Sequence, residues 1–347
     1  MTVASPYADR LSRLPVERHE VEVGGAKTAY WVYGPSTGSG TEGGSGTEGG
    51  SGTEGGSGTE AGSGTEAGSG TEAGSGTEAG SGTESDPTTV IAVHGFRGEH
   101  HGLEPVLAYL PEARVIAPDL PGFGETPPLP GRTHDLTAYA EWLRSFSAAV
   151  APGAVILGHS FGSIVASAAV AGGLETPRLI LINPIGAPAL EGPKGVMTRL
   201  AVWYYDLGAM LPSKVGTALL RNRLIVRVMS ITMAKTKDPA LRRFIHDQHD
   251  TYFSDFADRD VLRDAFVASV SHDVRAFAPQ IDVPTLLVAA QKDDITPIEA
   301  ERHLATLFPD AELVEIADVG HLIHYETPAD AAGAIRRFLR VPVARGR

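Results

Sequence analysis

The chain has 347 residues, 42% of them apolar, and a formal charge of −13, so it can bury a sizeable core, is not globally disordered, and lacks the basic excess of a nucleic-acid binder. Cysteine is absent, which excludes a disulfide framework, a thiolate metal site and a cysteine nucleophile. No stretch approaches about 18 consecutive apolar residues and the amino-terminal MTVASPYADRLSRLPVERHE has no signal-peptide core, so no membrane span is expected and a cytoplasmic protein is.

Residues 16–23 and 28–33 cluster β-formers around Gly24-Gly25, the pattern of a hairpin. Next comes SGTE[G/A]G repeated seven times from Ser39 to Gly80, with a last SGTE at 81–84. A six-residue period of Gly, Ser, Thr, Ala and Glu has no apolar face to bury, so residues 35–85 are expected to be a flexible, self-repelling acidic loop. The tract carries eight glutamates; without it 301 residues remain with a charge of −5. The folded part is only mildly acidic.

From residue 88 short apolar runs alternate with helical segments. The runs are 88–93, 114–118, 154–157, 178–182, 285–289 and 312–316, nearly continuous and β-branched, as strands buried on both faces of a parallel sheet require. Between them Phe161, Ile164, Val165, Ala168 and Ala169 share one helical stripe, and Ala331, Ile335, Phe338 and Leu339 another, after the Thr327-Pro328 start signal. This alternation implies an α/β fold with a mostly parallel, doubly wound sheet. About 100 residues after Asn183-Pro184 break it, carrying the helical stripes Met197/Leu200/Ala201/Tyr204, Leu241/Phe244/Ile245 and Leu262/Ala265/Phe266/Ser269. They predict a helical cap over 185–275, inserted after the sixth strand, with 1–34, 86–184 and 276–347 forming the core.

The strongest chemical signal is Gly158-His159-Ser160-Phe161-Gly162, directly after a strand and directly before a helix. A turn this tight tolerates only glycine two residues either side of the serine, and it holds the hydroxyl out at the strand's carboxyl end. A serine hydroxyl needs a base, itself oriented by an acid. His321, after the last strand, and Asp293, after the one before it, stand at equivalent strand ends. The adjacent Asp294 is the alternative acid. The order Ser160, Asp293, His321 matches that of one fold family.

Residues 88–184 and 276–347 resemble an α/β-hydrolase of the capped, serine-nucleophile type. The resemblance rests on His94-Gly95-Phe96, Asp119-Leu-Pro-Gly-Phe-Gly124, the GHSFG elbow, Asp293 with Pro297, and Gly320-His321 with Glu326 and Pro328. It implies the α/β-hydrolase fold, no cofactor, no metal, a small-molecule substrate, and backbone N–H groups of Phe96 and Phe161 as the oxyanion hole. Its spacing to Pro297 favours Asp293 over Asp294. The sequence departs from the pattern at Gln291, where glycine is usual, and at Glu125-Thr126, where a small residue and serine are common.

The reading that follows is a serine hydrolase cleaving an ester or related acyl bond of a small to medium, largely apolar substrate through an acyl-enzyme. Carbon–carbon bond hydrolysis of a ring-cleavage dienone and a non-catalytic ligand-binding protein are the alternatives. Ser160, where dehalogenases and epoxide hydrolases of the family carry aspartate, disfavours those activities. The remaining polar candidates are assigned structural roles: His246 and His249 to a helix surface, His100 and His101 to a helix start or surface, His324 to packing, and Arg221, Arg223 and Arg227 to a solvated face.

Overall fold

The computed structural model describes residues 3–36, 87–188 and 195–340; the glycine-rich repeat lies outside them. Eight strands form one sheet: β1 (Val16–Val23), β2 (Ala26–Tyr33), β3 (Thr89–Val93), β4 (Arg114–Pro118), β5 (Val155–His159), β6 (Leu179–Ile182), β7 (Thr285–Ala290) and β8 (Ala311–Ile316). Their order is β1-β2-β4-β3-β5-β6-β7-β8. The β1–β2 and β2–β4 pairs are antiparallel and every other pair is parallel. The hairpin turns on Gly24 and Gly25, at φ 63° and 79°, so β2 starts at Ala26, two residues before the β-former cluster that marks it in the sequence.

Successive strand residues point to opposite faces. Ile91, Val93 and Ile156 join one core layer, with Leu143, Phe146 and Ile164. Val90, Ala92, Val155 and Leu157 join the other, with Val106, Ile335 and Phe338. That double burial explains the unbroken apolar runs. The edge strand β1 instead carries exposed Glu17, Arg18 and Glu22, charges that discourage pairing with another chain.

The helices α1 (Leu136–Val150) and α2 (Phe161–Ala171) pack on the first layer. Between β6 and β7 the described residues form five α-helices: α3 (Gly195–Met210), α4 (Ser213–Leu220), α5 (Arg223–Met233), α6 (Pro239–Tyr252) and α7 (Arg259–Ser271). Asn222, Asp238 and Asp258 cap α5, α6 and α7 by accepting from first-turn N–H groups. Then α8 (Ile298–Ala305) follows β7 and α9 (Pro328–Arg340) closes the fold. No helix among the described residues is long and apolar enough to cross a membrane.

The strand order places the site. Beyond β3 the chain crosses to β4 on one side and to β5 on the other, so a crevice opens at the carboxyl ends of β3 and β5. The segments after those two strands are His94-Gly95-Phe96 and Ser160.

Candidate active site

Ser160 joins β5 to α2 with φ 53° and ψ −118°, a backbone state a serine keeps only when its surroundings impose it. They do so by contact. A Cβ on Gly158 would sit 2.3 Å from the Gly162 carbonyl oxygen, and one on Gly162 would sit 2.4 Å from that of Val93. Hydrogen bonds complete the turn: the Ser160 N–H donates to Ile182 O at 3.1 Å, and Ser163 Oγ donates to Ser160 O at 2.5 Å while accepting from Ile185 N–H.

His321 lies after β8 and Asp293 after β7, and the structure brings both to Ser160. The Ser160 hydroxyl is 2.8 Å from His321 Nε2, and His321 Nδ1 is 2.8 Å from Asp293 Oδ2. Since Oδ2 only accepts, Nδ1 carries the proton and Nε2 is free to take the one on serine. Asp293 Oδ1 accepts from the N–H groups of Ile295 and Thr296. Burial by itself would raise the Asp293 carboxyl, but the facing His321 and these two N–H groups hold it below the usual carboxylate range. Asp294 points elsewhere and pairs with Lys235, in the link between α5 and α6 of the helical insert. The N–H groups of the acid loop are thus taken by Asp293, not by Asp294.

Phe96 and Phe161 flank Ser160. Phe161 is the first residue of α2, so its N–H has no partner within the helix. A Cβ on Gly95 would sit 3.1 Å from Ser160 Cβ, which sets the Phe96 segment against the serine. His94 fixes that segment: Nε2 accepts from Leu120 N–H at 2.8 Å, so Nδ1 carries the proton and donates to Gly95 O, also at 2.8 Å. Burial lowers the His94 pKa and favours this neutral form. Before it all opens a cavity of about 450 Å³, lined by Phe96, Leu103, Tyr205, Met229 and Phe266 together with Ser160 and His321.

Three residues that sequence reasoning did not single out support the site. Asn183 Nδ2 donates to Asp293 Oδ2 at 3.1 Å; its place directly after β6 was the available signal, since polar residues at strand ends face the crevice. Arg97 follows Phe96, is fully buried, and donates to Phe253 O, Tyr205 Oη and Leu220 O, tying the segment to the helical insert. Glu301 on α8 is buried behind Asp293, and burial, reinforced by that neighbouring carboxylate, raises its pKa well above the ordinary value. Nothing in the α8 sequence distinguishes Glu301 from an exposed helical glutamate. Glu326, part of the recognised pattern, accepts from Lys235 and Thr236 N–H and so ties the α5–α6 link of the insert to the core. The departure at Glu125-Thr126 is accommodated, as Glu125 N–H donates to Asp119 Oδ2 and Thr126 Oγ1 accepts from Ala29 N–H.

Among the residues assigned to a helix start, a surface or a solvated face, His100 and His249 are buried, though His100 does start a short 3₁₀ helix, while Arg221 and Arg223 are exposed as expected. His100 is buried, bonded through Nδ1 to Asp119 Oδ1 at 2.9 Å and stacked on Trp31. His101 Nδ1 is bonded to Glu99 Oε1. Among the described residues Glu99, His100 and His101 are close enough to share a metal ion, but one nitrogen of each ring is already engaged. His324 is buried against His159, the packing role expected of it. Arg221 donates to Phe256 O and lies over that ring, Arg227 pairs with Asp250, and Arg223 is exposed.

His249 is the clearest departure from a surface helix, fully buried with Nδ1 bonded to Ser230 Oγ at 2.7 Å. The apolar stripe of α6 turns inward, and one histidine turns with it. Burial, with His246 and Arg227 nearby, lowers its pKa to about 3. The folded state therefore keeps it neutral while the unfolded chain protonates below about 6.5. Stability from this group is present above that pH and is lost as pH falls, by about 2 kcal/mol between about pH 6.5 and 5. Urea unfolding should show His249→Gln losing that much less than wild type over the same interval; parallel losses would refute the assignment.

Comparison with known proteins follows the same line. Residues 90–334 match the model of the alpha/beta hydrolase family. Over 84 residues the chain is 37% identical to a putative carbamate hydrolase of Pseudomonas syringae pv. syringae, covering 24% of this chain and 32% of that one; it thus spans about a third of that relative's length. It is 27% identical over 266 residues to the pimeloyl-(acyl-carrier protein) methyl ester esterase of Aromatoleum aromaticum, covering 72% of this chain and 98% of that one. A solved thermophilic esterase from Thermogutta terrifontis aligns with a TM-score of 0.59 and 25% identity, over 73% of this chain and 89% of that one. With its mostly parallel eight-stranded sheet and a family match running from β3 into the final helix, the chain belongs to the alpha/beta hydrolase family.

Proposed function

We propose that the protein is a cofactor-independent serine hydrolase acting on carboxylic esters, with Ser160 as nucleophile, His321 as base and Asp293 as its orienting acid. The observation that carries this reading is the continuous chain of hydrogen bonds from Ser160 Oγ through His321 to Asp293, with Ser160 and His321 lining an apolar cavity. Ser160 attacks the substrate carbonyl as its proton passes to His321 Nε2, and Asp293 stabilises the imidazolium. The N–H groups of Phe96 and Phe161 receive the developing oxyanion, a contribution of about 3 kcal/mol for each such donor. His321 protonates the leaving alcohol, then activates the water that cleaves the acyl-enzyme.

The helical insert, residues 185–275, acts as the cap. Tyr204, Ile225, Met229 and Phe266 from it face the cavity, so small to medium apolar acyl or alcohol groups are the substrates this wall accepts. The esterase activities named for the relatives from Aromatoleum aromaticum and Thermogutta terrifontis support the same bond class.

A fluorophosphonate probe tests the nucleophile, because its tetrahedral adduct suits an activated serine facing oxyanion donors. Mass-spectrometric mapping should find the label on Ser160 and lose it in Ser160→Ala. An unlabelled wild type would favour a ligand-binding protein, and labelling elsewhere would overturn the assignment of Ser160. Turnover of p-nitrophenyl esters of graded chain length, set beside a ring-cleavage dienone, separates ester from carbon–carbon bond hydrolysis.

A further inference from the structure

Two exposed apolar stripes on the helical insert are explained by neither the core nor the cavity. On α3, Leu200, Trp203 and Met210 are 54%, 64% and 84% exposed, and on α5, Leu224, Val228 and Ile231 are 71%, 54% and 52% exposed. Spacings of three, four and seven residues put each set on one helix face. The α5 stripe runs beside the residues of that helix that line the cavity, Ile225, Met229 and Met233, and Leu200 belongs to both cavity and surface. The exposed apolar surface therefore reaches the mouth of the cavity.

The charge on these helices is opposite to that of the chain. Residues 195–233 hold five arginines and lysines and one acid, Asp206, in a protein of charge −13. Asp206 is itself paired with Arg263 of α7. Arg199 precedes Leu200, Lys214 precedes Val215 and Arg223 precedes Leu224, all six exposed. Long basic side chains beside exposed leucine, valine and tryptophan are the combination that binds an anionic bilayer surface, with apolar groups entering the headgroup boundary and cations meeting the headgroups. A second copy of the chain meeting this face through a two-fold axis would set like charges together. The chain's own repeat, residues 39–84, has no apolar side chain larger than alanine, so it offers nothing to bury these stripes.

We propose that the exposed apolar stripes of α3 and α5, which both border the cavity, dock on a phospholipid bilayer bearing anionic headgroups, with the cavity mouth turned toward the lipid. The docking rests on this surface alone and not on the acyl chemistry proposed above, and binding is read without turnover, so the two readings fail separately.

Sedimentation of the full chain with vesicles of phosphatidylcholine, alone or mixed with phosphatidylglycerol, tests it. Binding is expected to the anionic vesicles, weak on phosphatidylcholine alone, and reversed by salt. Trp31 and Trp142 are buried, so Trp203 among the three tryptophans reports the contact; its emission should shift to the blue on binding, and the shift should vanish in Trp203→Phe. The combined variant Leu224→Ser/Val228→Ser/Ile231→Ser and, separately, Arg199→Glu/Arg223→Glu should each weaken binding at least about tenfold with an unchanged circular dichroism spectrum. If the serine variant misfolds, the charge reversal carries the test. Undiminished binding by the charge-reversed protein, an unmoved Trp203 emission, or self-association abolished by the serine variant in place of vesicle binding would overturn the proposal.

Discussion

Asp293→Asn should leave the protein folded and lower kcat by roughly 10⁴-fold, the scale of a triad imidazole held in the wrong tautomer. The geometry gives the reason. Oδ1 accepts two backbone N–H groups, so an asparagine keeps its carbonyl there and turns its amide nitrogen toward His321. That nitrogen then faces two donors, Asn183 Nδ2 and the His321 Nδ1–H, which now bond to Oδ2. His321 can relieve the conflict only by moving its proton to Nε2, where it can no longer accept from Ser160. Asp294→Asn removes an exposed pairing with Lys235, which should cost at most about 1 kcal/mol of stability and leave kcat within several-fold. Steady-state kinetics and thermal unfolding of both variants check the pair; the reverse pattern of rates would move the acid role to Asp294.

Gly162→Ala is expected to cost about 3 kcal/mol in stability, at the upper end of overpacking, and to reduce turnover beyond what lost stability explains. The new methyl would lie 2.4 Å from Val93 O and 2.6 Å from His94 O. Both atoms are backbone, so no side chain can rotate out of the way. Relief requires β3 or α2 to shift, and those two segments bear Phe96 and Phe161. Denaturant unfolding together with kcat on a p-nitrophenyl ester tests this. Wild-type stability with wild-type turnover would show that the elbow is looser than its contacts imply.

The order of strands and helices along the chain is legible in the residue pattern. Burial on both sheet faces leaves unbroken apolar runs, and a helix packed on that sheet leaves a 3.6-residue stripe, so 154–157 and 178–182 could be read within a residue or two of β5 and β6. The elbow was equally legible, because a turn that admits only glycine at 158 and 162 writes itself as local composition. Ser160, Asp293 and His321 were legible as residues standing at strand ends. Their meeting was not, since 161 residues separate Ser160 from His321 and only the pairing of β5 through β8 closes that distance.

Tertiary packing alone decided the rest, because burial belongs to the assembled face and not to the residue. Glu301 sits on a helix whose local sequence would suit solvent, and His249 is a polar residue one turn beyond Ile245 on an apolar stripe; each is buried by what packs over it. Arg97 would pass for a surface arginine beside Gly98, yet three acceptors from the insert enclose it. The same principle works in reverse at Trp203 and Leu224, apolar residues on helical stripes whose period implies a buried face. The fold covers only part of each helix with the cavity wall, and the remaining apolar face stays in solvent.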